Sequence, residues 1–225
     1  LFRSDLGFQV LVLQDSSRAH MVNAVDQFKA LLRGKQGIGL LYYAGHGVQY
    51  DWRNFMVPVD ARLAKEDDIP LQTVDVGQVL SAFKTAGNRL NVVVLDACRD
   101  NPFDNQLATK GLAPVDAPPG TFMAFATAPG HIADDGDERS ANGLYTQFLL
   151  RELKQPIARL EDVFKRVRLQ VRRASQGRQI PWESTSLEDD FVFATGQKVA
   201  APTVISRDAD FDAEKADWDR IQAIK

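Results

Sequence analysis

The stretch Arg89-Leu90-Asn91-Val92-Val93-Val94-Leu95-Asp96-Ala97-Cys98-Arg99-Asp100 decides the fold. Its unbroken run of β-branched and aliphatic residues reads as a fully buried strand. The run ends on an Asp, a small residue and the single cysteine of the chain, and polar residues with Pro102 follow, so the strand opens into a loop. In α/β sheets the C-terminal ends of the strands are where chemistry is placed. A lone thiol there has two readings: a small buried hydrophobe, as free cysteines commonly are, or a nucleophile.

A second stretch bears on that choice. Ile38-Gly39-Leu40-Leu41-Tyr42-Tyr43-Ala44-Gly45-His46-Gly47 is another apolar strand, ending in Gly-His-Gly. A histidine between two glycines has nothing bulky beside it, so backbone and ligand can approach closely. Two neighbouring parallel strands would bring His46 and Cys98 to one rim of the sheet. Tyr-Tyr-Ala-Gly-His-Gly and Val-Val-Leu-Asp-Ala-Cys-Arg together resemble the His and Cys motifs of the caspase-like cysteine peptidases, nearest to the bacterial branch related to metacaspases and paracaspases. The His lies 52 positions before the Cys (98 − 46), the spacing found in caspases. The resemblance runs on through Gly120–Gly130, Gly143-Leu144-Tyr145-Thr146, Gln179–Ser184 and Asp190–Phe193.

Strands and helices alternate along the chain, which predicts a mostly parallel sheet with helices on both faces. That agrees with the three-layer α/β/α sandwich the resemblance implies. Strands are expected at Phe8–Leu13, 38–47, 54–59, 90–98, Thr121–Thr127 and Phe191–Ala194. Helices are expected after Ser16 or Ser17, after Thr73 or Asp75, and over Leu144–Leu153 and Leu160–Ala174, with Gly34 and Gly87 as stops. Leu1–Leu6 reads as the end of a helix closed by Gly7. Gly34, Gly37 and Gly39 precede a strand rather than follow one, which excludes a dinucleotide fingerprint. Family members begin with a strand and helix ahead of the point where this chain starts, so that first segment is expected to be missing. Its absence would leave an open sheet edge, for which the missing segment is the expected partner, and by analogy with the family the last strand, Phe191–Ala194, is where a second copy of the chain would pair. Residues 1–196 read as the peptidase domain and 197–225 as a linker and charged helical tail.

The 225 residues carry 27 basic and 30 acidic side chains, a net charge of −3, and nothing global points to nucleic acid. Lys165, Arg166, Arg168, Arg172 and Arg173 cluster on one predicted helix and read as its solvated face. One cysteine excludes an internal disulfide and a CxxC metal site. No run of roughly 18 apolar residues would span a membrane.

Thiol hydrolysis of a peptide needs a thiolate, a proton shuttle and donors for the oxyanion. Cys98 would be the nucleophile and His46 the base, a dyad without a third member; His20 and His131 read as surface residues. Backbone N–H groups of Gly47 and Cys98 are the natural oxyanion donors. Asp96 lies two residues before Cys98, so strand alternation puts both on one side. A carboxylate beside the nucleophile would attract a cationic P1 side chain. Caspases carry Gln-Ala-Cys here and bind Asp; Asp-Ala-Cys resembles the metacaspase and paracaspase version, which implies cleavage after Arg or Lys. The resemblance adds Asp135, with Asp134 beside it, as a further pocket acid; a solvated loop is the plain alternative. Trp182 either packs on the core or lines an outer subsite. The connection Val48–Asp60 is too short for the acidic insertion of calcium-activated metacaspases, so neither metal nor cofactor is expected. Lys110 and Arg139 lie in long loops and are candidate self-cleavage sites. The leading reading is an Arg/Lys-specific cysteine endopeptidase; the alternatives are an idle caspase-like interaction module and another thiol hydrolase.

Overall fold

The computed structural model describes residues 6–99, 112–128, 142–155 and 157–194, with Cys98, Arg99, Ile157 and Ala194 described by their backbone alone. Helix α1 (Arg18–Leu32) starts where Ser17 accepts the His20 N–H as its cap. It leads into β1 (Ile38–Tyr50), which turns back into β2 (Arg53–Met56). A one-turn helix α2 (Ile69–Gln72) and a short β3 (Val74–Asp75) precede α3 (Val76–Ala86). Asp75 caps α3 by accepting from Gly77 N at 2.8 Å, and Gly87 in the left-handed region stops it. Then follow β4 (Leu90–Arg99), β5 (Thr121–Phe125), α4 (Leu144–Leu153), β6 (Ile157–Arg159), α5 (Leu160–Ala174), β7 (Trp182–Thr185) and β8 (Val192–Ala194).

The central sheet runs in the order β3-β2-β1-β4-β5-β7. Its middle, β1-β4-β5, is parallel, and β2 and β7 pair antiparallel on either side. Strand β4 is buried on both faces, as its apolar run requires. Leu90, Val92 and Val94 pack under α4 and α5, against Tyr145, Leu149, Phe164 and Val167. Val93 and Leu95 pack on the opposite layer, against Val79 and Phe83 of α3 with Val25 and Phe28 of α1. Each such buried aliphatic contributes about 1.5–3 kcal/mol from removal of apolar surface. The expected three-layer α/β/α sandwich is therefore what the chain forms.

Several local expectations differ from the structure. Phe8–Leu13 joins no ladder; Leu11, Val12 and Leu13 are exposed. Alternation alone does not make a strand, because a ladder also needs a neighbouring strand in register. No described strand flanks Ile38–Gly45 on the side away from β4. Strand β1 also runs past the Gly-His-Gly motif to Tyr50, where Asp51 and Trp52, both at positive φ (48° and 59°), form the two-residue turn into β2. That turn lacks the Asn-Gly signature that would have announced it. β5 stops at Phe125, and β8 pairs with β6 in a separate two-stranded sheet. The basic face of α5 is only partly solvated. Arg166 bonds the buried Glu152 of α4, and Arg168 pairs with Glu183 of β7. The expected helix end before Gly7, the linker and tail, and Lys110 and Arg139 lie wholly or largely outside the described residues.

Asp75 unites two tasks, the cap of α3 and an ion pair with Arg53 of β2. Arg53 is 58% exposed, so its charge is screened and the cap dominates. Asp75→Ala should lower unfolding stability by about 1–2 kcal/mol, read as a lower urea midpoint at constant slope. An unchanged midpoint would contradict this account of the α3 terminus.

Candidate active site

The parallel ladder between β1 and β4 is in register over ten pairs, from Ile38 with Leu90 to Gly47 with Arg99. Within it His46 is the Cα partner of Cys98, and Ala44 that of Asp96. The two motifs thus meet at the C-terminal ends of adjacent strands. Each strand is held there by its apolar run lower in the sheet, where a one-residue slip would turn every side chain to the wrong layer.

His46 is exposed, and its main chain is fixed from beneath. Its carbonyl accepts the Tyr43 hydroxyl at 2.7 Å and the Val57 N–H at 2.9 Å. Tyr43 folds back along its own strand to reach that oxygen and also donates toward Val57 O. Burial pushes its phenol up to about 12, so it stays a neutral donor. Gly45 makes this possible. A Cβ there would lie 2.8 Å from Tyr43 Oη, and φ is +158°. Among the described residues no side chain bonds to the His46 ring.

Gly47 is buried and stands between Met56 of β2 and Arg99 of β4. A Cβ at this position would lie 3.1 Å from Ala97 Cβ and 3.1 Å from Leu112 Cδ2. Leu112 is held there by its neighbour. Asn54, 3% exposed, donates Nδ2 to Ala113 O at 3.0 Å and accepts Ala113 N at 2.7 Å through Oδ1. This paired amide clasp fastens the segment that enters β5 to strand β2.

Asp96 is half-buried on the α4 side of the sheet. Thr146, in the first turn of α4, donates its hydroxyl to Asp96 Oδ2, and the Tyr42 hydroxyl bonds to the same Thr146 oxygen. The Tyr42 phenol is pushed up to about 12, chiefly by burial and further by the Asp96 charge, while the Thr146 bond works the other way. Tyr145, next to Thr146, is fully buried; burial first, then the charge of Asp96, holds its phenol well above the ordinary value. Asp96 thus accepts a hydroxyl from the helix that covers this face of the sheet, with a phenol bonded behind that hydroxyl.

Of the other expected site residues, Asp134, Asp135 and His131 lie outside the described residues. Trp182 packs its ring on Phe125, centroids 5.5 Å apart, at the edge of the α1/α3 layer. His20 is exposed on α1. Thr146 and Tyr42 were not singled out from the sequence as site residues. Thr146 sits 50 positions from Asp96 and Tyr42 reads as one more strand aromatic; no spacing rule links them. A cleft of about 410 Å3 between α1 and α3, lined by Asp26, Lys29, Arg53 and Asp75, does not include His46 or Asp96.

Comparison with known proteins gives the same frame. The family model described as the caspase domain matches residues 1–192. The mucosa-associated lymphoid tissue lymphoma translocation protein 1 of Homo sapiens is 35% identical over 163 residues, as is its Mus musculus homolog. The alignments cover 70% of this chain and 19% of either relative. With its three-layer sheet, its paired His and Cys motifs and this match along nearly all of its described length, the chain belongs to the caspase domain family of cysteine peptidases.

Proposed function

We propose that this domain is a cysteine endopeptidase that cleaves after Arg or Lys, with Cys98 as nucleophile and His46 as its base. The observation that carries the reading is the ladder register that makes His46 and Cys98 partners on adjacent parallel strands. Residues opposite one another in a ladder project to the same face of the sheet.

In this mechanism the Cys98 thiol gives its proton to His46, and the thiolate sulfur adds to the scissile carbonyl carbon. The carbonyl π pair moves to oxygen, and the oxyanion accepts N–H bonds from Gly47 and Cys98. As the tetrahedral adduct collapses, the C–N bond breaks and the imidazolium protonates the departing amine. The thioester is then hydrolysed by a water whose proton His46 takes, and the thiol is restored. The fixed carbonyl of His46 supports this role, because a base that must serve two proton transfers gains from a rigid main chain. Asp96 supports a basic P1 residue: a charged carboxylate two positions before the nucleophile, held in a largely apolar wall, attracts a cation more strongly than it would in water. Asp135 and Asp134 remain further acids of the same pocket on the resemblance alone, and self-cleavage after Lys110 or Arg139 follows from the same basic preference.

Peptides differing only at P1 test the proposal. Cleavage is expected after Arg and Lys and not after Asp, and Cys98→Ala and His46→Ala should each abolish it. A wild-type chain that cleaves none of them would instead be an idle interaction module; cleavage only after Asp would remove the role given to Asp96. Intact mass separates wild type from Cys98→Ala if the chain cuts itself, and identical masses exclude self-processing. Tyr43→Phe keeps the ring but frees the His46 carbonyl of one bond. A fall in kcat of about tenfold is expected, at unchanged KM, and full activity in that variant would show that the phenol is not needed to place the base.

A further inference from the structure

The hydroxyl chain behind Asp96 has a direction. Thr146 Oγ1 carries one hydrogen, and it is donated to Asp96 Oδ2. The bond between Tyr42 and Thr146 must then run from the phenol to the Thr oxygen. Proton donation therefore flows from Tyr42 to Thr146 to Asp96 and ends on an acceptor. An ionised carboxylate is acceptor-only, and this order gives each hydroxyl hydrogen one acceptor. Tying one carboxylate oxygen to a helix-borne hydroxyl also fixes the plane of the group. Recognition of a planar guanidinium depends on that plane.

We propose that Thr146, backed by Tyr42, is the positioning residue that sets the P1 specificity of this domain, holding the Asp96 carboxylate aimed at a guanidinium or ammonium group. The inference rests on Asp96 being the P1 acid and deepens that assignment. The adjacent Tyr145 sharpens it. Its hydroxyl is buried within reach of the Asp96 charge yet bonds to no described residue. Helix α4 thus presents two neighbouring hydroxyls near Asp96, and Thr146 is the one that bonds it. A clasp serving only to fasten α4 to β4 would act on stability and on every substrate alike. A positioning residue acts on cationic substrates alone.

The test uses the full chain and three peptides identical except at P1, which is Arg, Lys or citrulline, the last a neutral isostere of Arg. Thr146→Val keeps the side-chain shape and removes the donor. The Arg-to-citrulline ratio of kcat/KM should fall about tenfold, through KM for the Arg peptide. Thr146→Ser, which restores the hydroxyl, should recover the ratio to within about twofold, and Tyr145→Phe should leave it unchanged. Tyr42→Phe, one link further back, should lower it by a few-fold and replaces Thr146→Val if that variant fails to fold. An unchanged ratio in Thr146→Val, or in its Tyr42→Phe substitute, overturns the inference, as does a ratio that moves in Tyr145→Phe. Asp96→Asn separates this failure from a deeper one. If Asp96→Asn collapses the ratio while Thr146→Val does not, only the role of Thr146 is lost. If Asp96→Asn leaves the ratio unchanged, the P1 assignment itself falls.

Discussion

The parallel pairing of β1 with β4 is the constraint on which everything else in the molecule depends. Ten consecutive residue pairs bring two segments more than fifty positions apart into one register. Parallel pairing demands a crossover, and here the connection carries the β2 hairpin, α2, β3 and α3. Because register is set by burial on both faces of β4, the apolar residues lower in the strands determine which residues meet at the rim. His46 and Cys98 do not attract one another into place. Val92, Val93 and Val94, opposite Leu40, Leu41 and Tyr42, put them there.

The same pleat explains why the site is asymmetric. The even-numbered row Leu90, Val92 and Val94 of β4 faces α4 and α5, and the odd-numbered row Val93, Leu95 and Ala97 faces α1 and α3. Along the even row the sequence changes from Val92 and Val94 to Asp96, so a carboxylate follows two aliphatics into the same wall. The helix that covers the wall supplies a hydroxyl to it. Along β1 the corresponding row passes through Tyr42, whose phenol closes the chain of donors. One apolar layer and one polar relay are thus continuous, and the transition between them lies one pleat before the cysteine.

On the other side of His46 the order is reached by different means. Tyr43 turns under its own strand to hold the histidine carbonyl, and a glycine at 45 gives the phenol room. The glycine at 47 is needed for packing as well, since Ala97 and Leu112 close on it from two directions. Both glycines of Gly-His-Gly therefore have physical reasons to lack a side chain that do not require a substrate. The Asn54–Ala113 clasp extends the same principle to the segment entering β5: two buried main-chain groups, which would otherwise be orphaned, are satisfied by one amide.

Much of this was written in local pattern. The apolar runs named β1 and β4, the cap candidates Ser16 or Ser17 and Thr73 or Asp75 and the stop at Gly87 marked the first helices and strands, and the spacing of apolar residues outlined α4 and α5; the structure chose Ser17 and Asp75. The three-layer class and the pairing of the His and Cys motifs follow from those, because each is a consequence of period, length and order along the chain. What the pattern did not hold is whatever depends on a partner distant in sequence. Phe8–Leu13 alternates as a strand does, yet joins no ladder. Trp182–Thr185 lacks a strand signal and still pairs with β5. Arg166 and Arg168 look solvated and instead find carboxylates on other elements. The Tyr42–Thr146–Asp96 relay is the plainest case, since three elements must first be packed before its hydroxyls are within reach. Side-chain periodicity alone determined which segments would be buried and hence the fold and the two motifs at its rim. Only tertiary packing decided which hydroxyl meets which carboxylate, because hydrogen bonding acts over about 3 Å and no local rule carries that distance across the chain.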